Sequence, residues 1–524
     1  MGYVVMASSA QPVRIGPFTG GLNLYSDPST IGDTECADIN NFDIDLDGTL
    51  VSRPPLMPLS GPGTNGLRII GYFTWTDGVV YILASSSTTT YQYNTSTLVW
   101  TTITSTFPAT SMVQYNNTAY LVSPFASANP GGSWNPTALF VAVSTMPHGV
   151  TAVMYKERMW IGSGTGHTSP SRLFFCTPLG GAGTGPGGTW NVADFIDINN
   201  GDGQNIIEII SFNGAIIVFK QNSTYMFAYD SQPTKGAVQT LSTIGIVDRD
   251  CVVVYEGVMY VMYSGYIYAV TNWNWEQVNI KVPFQYVNTR SGLTRNDYSL
   301  SIVGNRLICR YFDTYYIYGL KTKVWSKWTF TSDLDMFPHK FFKYPTADPV
   351  TGIAKFYSSS ALLIVVTAKG FQTFRDTYTS TESESMNVSV RSKTYNFNVP
   401  YSYKRLFWWG VDLLTNSPIT ARVIPVSYGT PVTWGQLPTL TWNSISTHMW
   451  SAPIDNILDV SDSADIRNTS GIRMFVKFLK ALRFRQLAFD LSSTVDGTTN
   501  TGPLRLFSIT AFVANKELSN KKIN

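Results

Sequence analysis

Acidic residues near the start of the chain have the spacing found in calcium-binding loops. Asp43, Asp45 and Asp47 alternate along the chain and are followed by Gly48, which matches the opening of an EF-hand loop. The twelfth position of such a loop carries a bidentate glutamate, but this chain has Pro54 there. The flanking residues also lack the apolar periodicity of helices. The pattern therefore predicts a strand that ends in an Asp-Gly turn, and we assign no metal ligand.

Carboxylates in the middle of the chain could in principle serve a glycosidase, which needs two of them facing one sugar bond. The candidates are Asp194, Asp197, Asp202, Glu208, Asp248, Asp250 and Glu256. The sequence fixes no separation between them, and Asp-Arg-Asp at 248 to 250 is equally well explained by a local ion-paired turn.

Histidine and serine motifs add no catalytic signature. The four histidines, at 148, 167, 339 and 448, are isolated in the sequence, and the Gly-x-Ser-x-Gly nucleophile motif does not occur. We therefore expect no enzymatic activity, no cofactor and no metal, and a propeller glycosidase is the least favoured alternative.

The elements that carry these residues repeat along the chain. Around Cys251, short runs of valine, tyrosine and methionine are separated by Glu256-Gly257 and Ser264-Gly265, which is typical of β-hairpins. The same pattern, a turn followed by a large residue, recurs at Tyr81, Tyr120, Trp160, Ile217, Tyr260, Ile308 and Phe356. Intervals of roughly 40 to 57 residues match the blades of a β-propeller. We expect about seven blades.

Composition supports an all-β protein and excludes several classes of partner. The chain of 524 residues is 44% hydrophobic but only 14% charged, as in large extended β proteins. A formal net charge of +3 argues against a nucleic-acid surface over the whole chain. The four dispersed cysteines predict reduced, buried side chains. No apolar run is long enough for a membrane span, and the first residues do not resemble a secretion signal.

Three regions follow from these patterns. Residues 1 to 66 are rich in proline and lack the hairpin pattern, which predicts an extended N-terminal arm. Residues 67 to 380 are assigned to the β-propeller. Residues 381 to 524 contain longer alternating runs with irregular connections, which favour a β-sandwich-like domain.

The arm carries a more specific resemblance. Its Gly-Gly-x-Asn, Asp-Pro, Glu and Asn, and Asp-Gly-x-Leu-x-x-Arg-Pro elements occur in an order that resembles the N-terminus of propeller-bearing tail proteins of double-stranded DNA bacteriophages. These include the nozzle, or tail tubular protein B, and minor tail proteins. The matching residues are Gly20, Gly21, Asn23, Asp27, Pro28, Glu35, Asn41, Asp47, Gly48, Arg53 and Pro54. The resemblance covers roughly the first half of the chain.

The resemblance implies a structural virion component, made in the bacterial cytoplasm and located in the tail. Its expected partners are copies of itself in a six-fold or three-fold ring and other tail proteins, with DNA only in transit. Such a ring would lie at the tail axis or tip, and would aid tail assembly and DNA delivery.

Within the arm, eight of the matching residues are assigned to arm structure or assembly: Gly20, Gly21, Asn23, Glu35, Asn41, Asp47, Gly48 and Arg53. We expect Arg53 to anchor the arm, because Pro54 favours extended backbone before it and a guanidinium can bind a carboxylate or several carbonyls at once. A solvated Arg53 beside a turn is the alternative.

A different function is also compatible with the sequence, that of a tail-tip adhesin for host-surface glycans. Trp273 and Trp275 lie close together in the chain and would be its sugar platforms. Tryptophans at such positions also pack between blades, so both interpretations stay open.

Overall fold

The chain divides into two compact units, the propeller unit, Leu56–Tyr315 with Phe330–Asp376, and the sandwich unit, Met1–Pro55 with Tyr316–Thr329 and Thr377–Asn524. The structure is a computed structural model. It describes residues 11–53, 56–59, 67–97, 99–125, 127–178, 189–284, 298–311, 314–330, 340–343, 346–347, 354–355, 363–367, 370–374, 386–397, 404–414, 419–426, 458–459, 473–495 and 504–515. His339, Phe356, His448 and Pro54 lie outside these residues.

Five sheets of the propeller unit each consist of four consecutive antiparallel strands. The first contains β7 (Arg68–Thr74), β8 (Val80–Ser85), β9 (Thr90–Asn94) and β10 (Val99–Thr104), and the second contains β11 (Ser111–Tyr115), β12 (Thr118–Val122), β13 (Gly131–Asn135) and β14 (Leu139–Ala142). The third contains β15 (Thr151–Tyr155), β16 (Arg158–Gly162), β17 (Arg172–Phe175) and β18 (Phe195–Asp197). The fourth contains β19 (Glu208–Phe212), β20 (Ala215–Phe219), β21 (Thr224–Ala228) and β22 (Ala237–Ser242), and the fifth contains β23 (Val252–Tyr255), β24 (Val258–Tyr263), β25 (Tyr266–Thr271) and β26 (Asn274–Gln277). Two 3-10 helices, Pro233–Lys235 and Arg249–Cys251, lie between strands of this series.

The turns between first and second strands explain why these residues form hairpins. Glu256 and Gly257 have φ angles of 46° and 78°, and Asn213 and Gly214 have φ angles of 49° and 73°. Two successive residues with positive φ give the turn whose twist suits paired strands. Six of the seven recurring large residues lie on the second strand of their hairpin: Tyr81, Tyr120, Trp160, Ile217, Tyr260 and Ile308.

The remaining strands of the propeller unit form an antiparallel pair, a four-stranded sheet and a small hairpin. They are β27 (Tyr298–Val303), which pairs with β28 (Arg306–Tyr311); β31 (Lys340–Lys343), β34 (Leu363–Thr367), β35 (Gly370–Phe374) and β6 (Leu56–Leu59); and the hairpin of β32 (Thr346–Ala347) and β33 (Ala354–Lys355). Strand β29 (Thr314–Gly319) crosses the boundary between the units. Strand β6 runs antiparallel to β35, so a strand that precedes the first sheet completes the last one. This pairing covers the edge that β35 would otherwise expose.

Aromatic side chains fill the space between consecutive sheets. The ring centroid of Phe73 in the first sheet lies 5.5 Å from that of Trp134 in the second. The fully buried Trp160 of the third sheet lies 5.4 Å from Phe227 of the fourth. A four-stranded sheet cannot cover both of its faces alone, so each sheet buries those beside it.

The sandwich unit consists of two sheets. One contains β4 (Phe42–Ile44), β5 (Leu50–Ser52), β42 (Arg505–Asn515), β37 (Lys404–Leu414) and β40 (Arg473–Phe484), with β1 (Gln11–Ile15) also on β42. The other contains β2 (Gly21–Leu22), β3 (Glu35–Asn40), β36 (Met386–Ser392), β41 (Gln486–Val495), β38 (Ile419–Val426) and β39 (Leu458–Asp459), and β30 (Trp325–Trp328) runs parallel to β3. The buried Trp409 of the first sheet contacts Phe489 of the second at 5.7 Å. The two sheets therefore share one core.

The expected fold class, an all-β chain with a β-propeller of about seven blades, an N-terminal arm and a C-terminal β-sandwich, is confirmed. The units divide the chain at other positions than residues 66 and 380. Strands β1 to β5 of the arm are hydrogen-bonded into the sandwich, because β36 and β42 offer them free edges, whereas β6 belongs to the propeller.

Candidate functional site

The starts of the first strands in the propeller unit converge on a group of charged side chains, which we call the axial network. It consists of Arg68, Glu208, Asp248, Arg249 and Asp250. Each of these residues lies at or just before the first strand of its sheet. The network therefore connects sheets that are far apart in sequence.

Arg249 is the central member of the axial network. Its Nη1 donates hydrogen bonds to the carbonyl oxygens of Thr110 and Val150, the latter at 3.0 Å. These carbonyls precede the second and third sheets, so one guanidinium joins three sheets. Its Nε lies 3.8 Å from Oε2 of Glu208. Because Glu208 begins the first strand of the fourth sheet, Arg249 also contacts that sheet.

Arg68 binds the two aspartates that flank Arg249. Its Nη2 lies 2.9 Å from Oδ1 of Asp248 and 2.7 Å from Oδ2 of Asp250. Asp248 also accepts a hydrogen bond from the backbone N–H of Asp250 at 3.1 Å and thereby caps the 3-10 helix. The Asp-Arg-Asp sequence is thus more than a local turn, since its carboxylates pair with an arginine about 180 residues away.

Burial shifts the titration of the axial network. It raises the pKa of Glu208 above its ordinary value of 4.5, against the opposing effects of the Arg249 charge and the hydrogen bond from the Thr151 hydroxyl. Burial likewise lowers the pKa of Arg249, and the neighbouring charge of Arg68 adds to this effect. Both shifts disfavour charge, as expected for ions withdrawn from water.

A cavity of about 530 Å³ lies beside the axial network. Its lining includes Arg68, Asp248 and Arg249 together with apolar side chains such as Val150 and Ile206. Cavities of this size accommodate small molecules. The axial cavity is therefore the candidate functional site of the propeller unit.

The other candidate carboxylates lie elsewhere. Asp197 pairs with Arg172 at 2.8 Å, and Asp202 pairs at 2.8 Å with the fully buried Lys220. Asp194 accepts a hydrogen bond from Asn191, and Glu256 occupies a hairpin turn. Of the seven candidates, the structure brings together only Glu208, Asp248 and Asp250, and it surrounds them with two arginines that sequence reasoning did not connect.

Two histidines that are isolated in the sequence both pack against one aromatic ring. The ring centroid of Phe125 is 5.5 Å from that of His148 and 5.7 Å from that of His167. Phe125 is 47% exposed and follows Pro124, which lines the axial cavity. Burial lowers the pKa of His167. The described part of the chain contains no group of three or more potential metal ligands.

The first four arm residues form one structural motif in the sandwich unit. Nδ2 of Asn23 donates to Oε2 of Glu35 at 2.9 Å, and Oδ1 of Asn23 accepts from the backbone of Tyr25 at 3.1 Å. Gly20 donates its N–H to the carbonyl of Thr34. Gly21 has a φ of +68°, and a Cβ there would lie 2.8 Å from Val324. Only glycine fits this position without displacing its neighbours.

Asp47 and Gly48 form the turn of the β4–β5 hairpin, as the sequence predicts. Oδ1 of Asp47 accepts from the N–H of Thr49 at 2.9 Å, and this bond lowers the pKa of Asp47. Gly48 has a φ of +80° and packs against Pro17. The aspartate thus stabilises a tight turn.

Arg53 and Asn41 link three distant segments of the sandwich unit. The Arg53 side chain is fully buried, and its Nε donates to Oδ1 of Asn41 at 2.9 Å while Nη2 donates to the carbonyl of Thr329 at 3.1 Å. The ring of Trp328 lies 5.9 Å from the guanidinium. Asn41 in turn donates to the carbonyl of Asn387 at 2.6 Å. Arg53 is therefore not a solvated side chain beside a turn.

Trp273 and Trp275 are both half-buried. Trp273 occupies the turn between β25 and β26 with a φ of +67° and lies 5.7 Å from the buried Phe212 of the fourth sheet. Trp275 lies 6.1 Å from Tyr268 of its own sheet. Both rings thus contribute to packing, and Trp273 packs between blades.

Fold and site together define a β-propeller protein with an axial cavity lined by both charged and apolar side chains. No known protein family and no curated protein matches its sequence. No helix among the described residues has the length and apolar character needed to cross a membrane.

Several solved structures are similar to this chain at low identity. An extracellular domain from B. thetaiotaomicron, of a protein described as a hybrid two-component system, has 13% identity and a TM-score of 0.40; the match covers 62% of this chain and 40% of that one. An inactive variant of virginiamycin B lyase from Staphylococcus aureus, with quinupristin, has 9% identity over 61% of this chain and 97% of its own, with a TM-score of 0.41. The Pan2 WD40 domain of Neurospora crassa has 6% identity over 61% of this chain and 88% of its own, with a TM-score of 0.36. These similarities carry no argument about activity or partners.

Proposed function

We propose that this protein is a structural component of a bacteriophage tail, a minor tail or nozzle protein. In this proposal, copies of the chain form a ring at the tail axis or tip, contact other tail proteins, and aid tail assembly and DNA delivery. The virion tail would be its location, and DNA would pass it only in transit.

The observation that carries the proposal is the structural use of the arm motif. Among the residues that resemble the phage proteins, Asn41 and Arg53 bind the distant Thr329 in one polar cluster, and Asn23 binds Glu35 in another. Residues of a catalytic or ligand-binding motif would face a cavity, whereas these hold backbone segments together. Such use favours an architectural role for the motif.

The sandwich unit also presents apolar side chains on fixed turns. Tyr25 is 72% exposed and its N–H is bound by Oδ1 of Asn23, and Leu46 is 73% exposed and lies in the turn closed by the hydrogen bond from the Gly48 N–H to the Asp45 carbonyl. Exposed apolar groups on rigid backbone suit subunit contacts, because little conformational entropy is lost on association.

Assembly of the purified full-length protein tests this function. We expect mass photometry and negative-stain electron microscopy to show closed rings of six or three copies. The double substitution Tyr25→Ser and Leu46→Ser is expected to shift the rings towards monomers. The matched control is Val192→Ser, which changes a side chain that is 95% exposed in the propeller unit and should leave the rings intact. A protein that stays monomeric at every concentration would contradict the proposal.

A further inference from the structure

The axial cavity has one apolar and one polar part. Val150, Ile206 and Val247 supply apolar lining, while Arg68, Asp248 and Gln221 supply polar lining. Phe125 follows the lining residue Pro124 in the chain and is 47% exposed, but it is not itself part of the lining. Sugars have this same division, with hydroxyl groups around the ring edge and C–H groups on its faces.

The polar side retains hydrogen-bonding capacity in both directions. Nε of Arg68 is itself buried, but the Arg68 side chain is 32% exposed and lines the cavity, so this side chain contributes hydrogen-bond donors to the polar side. The hydrogen bonds found for the Asp248 carboxylate in this part of the chain end on Oδ1, so Oδ2 can accept from a ligand. The Gln221 side chain is exposed and lines the cavity, and an amide both donates and accepts.

The charges of the axial network favour a neutral ligand. Arg68 and Arg249 stand against Asp248, Asp250 and Glu208, so the two signs of charge are nearly balanced beside the cavity. A phosphate or a free carboxylate would meet carboxylates beside the guanidinium groups. A hydroxyl group can donate to Asp248 and accept from Arg68 without adding charge.

We propose that the axial cavity binds a neutral mono- or disaccharide, held by Arg68, Asp248 and Gln221. This site is distinct from Trp273 and Trp275, and it does not depend on the assembly of the protein into tail rings. The binding step involves no covalent chemistry.

Saturation-transfer NMR on the full-length protein tests the site with glucose, galactose and N-acetylglucosamine as probes. A ligand of about a dozen heavy atoms is expected to bind in the millimolar range, with a Kd of roughly 1 mM. Thr165→Trp places a large ring at the cavity lining and should abolish the signal. Gln221→Ala should weaken binding about threefold to tenfold, as expected for the loss of one or two hydrogen bonds.

Thr102→Trp is the matched control, because Thr102 is exposed on the outer strand β10 and should not affect binding. Thermal unfolding of each variant verifies that the propeller is intact. The proposal is overturned if none of the three sugars binds, or if Thr165→Trp leaves binding unchanged in a folded protein. Binding of inorganic phosphate in preference to the sugars would also overturn it, since the site would then recognise anions.

Discussion

Replacing Arg53 with alanine tests whether its guanidinium holds the arm strands in the sandwich unit. The substitution removes side-chain hydrogen bonds that include those to Oδ1 of Asn41 at 2.9 Å and to the Thr329 carbonyl at 3.1 Å. It leaves the backbone bond from the Arg53 N–H to the Asn41 carbonyl in place. We therefore expect the hairpin of β4 and β5 to open more often while its native conformation is retained.

The magnitude follows from the bonds that are lost. A hydrogen bond to a charged group contributes about 1.5 to 3 kcal/mol. Two such bonds give at least about 3 kcal/mol, and we take this lower value because burying the guanidinium already costs desolvation energy. Since each 1.4 kcal/mol is a factor of ten, the opened population should rise roughly a hundredfold.

Hydrogen exchange with mass spectrometry measures this opening in the full-length protein. Amides of Phe42–Ile44 and Leu50–Ser52 should exchange roughly a hundredfold faster, and limited proteolysis should cut the arm sooner, while the propeller strands keep their protection. Arg14→Ala, at an exposed position of β1, is the matched control and should change little. Arg53→Lys should only partly restore protection, because an ammonium group lacks the planar fork. Exchange in the hairpin within about threefold of the unsubstituted protein would refute the anchoring role, since openings of that size correspond to less than 1 kcal/mol.

Three further predictions concern the axial network, the arm and the closure of the propeller. Burial raises the folded-state pKa of Glu208 above 4.5, so the folded state binds the proton more tightly than the unfolded state. The free energy of unfolding should therefore fall as the pH rises from 4.5 through the raised pKa. Urea unfolding of Glu208→Gln should show a flatter dependence of stability on pH, and an unchanged dependence would contradict this. Gly21→Ala should lower the melting temperature more than Gly214→Ala, because both have positive φ but only Gly21 has neighbours within 3 Å of the added methyl; equal losses would show that φ alone decides. Deletion of residues 67 to 106 removes the first sheet and should give insoluble protein with exposed strand edges, whereas soluble, monodisperse protein by size-exclusion chromatography would argue against a closed ring.

Local patterns in the sequence were sufficient to predict the hairpins. Glu256-Gly257 and Asn213-Gly214 encode their turns through φ preferences that depend on neighbouring residues alone. Tyr120 and Trp160 likewise marked second strands, because each is a large residue that follows a turn at a short distance in the chain and lies in the continuously buried part of its strand. The propeller could be inferred by counting such repeats.

Long-range pairing was not accessible from the same patterns. Nothing local to β3 or β36 indicates that they are hydrogen-bonded neighbours, since register between distant strands depends on the whole sheet. Asp248 and Asp250 suggested only a local ion pair, although Arg68 binds both. One signal existed, since charged residues recur where the first strands of the sheets begin, as at Arg68 and Glu208.

The long reach of Asn41 has a consequence for synthesis of the chain. Its partner Asn387 follows 346 residues later, which takes roughly 17 to 70 s at about 5 to 20 residues per second. During that interval β3 has emerged from the ribosome but β36, its antiparallel neighbour, has not. The propeller strands β6 and β35 are both synthesised before β36. The propeller can therefore close before the arm strands have their partners in the sandwich unit. Until β36 and β42 emerge, β3 and β5 lack their antiparallel partners in the sandwich sheets, and such free strand edges favour aggregation.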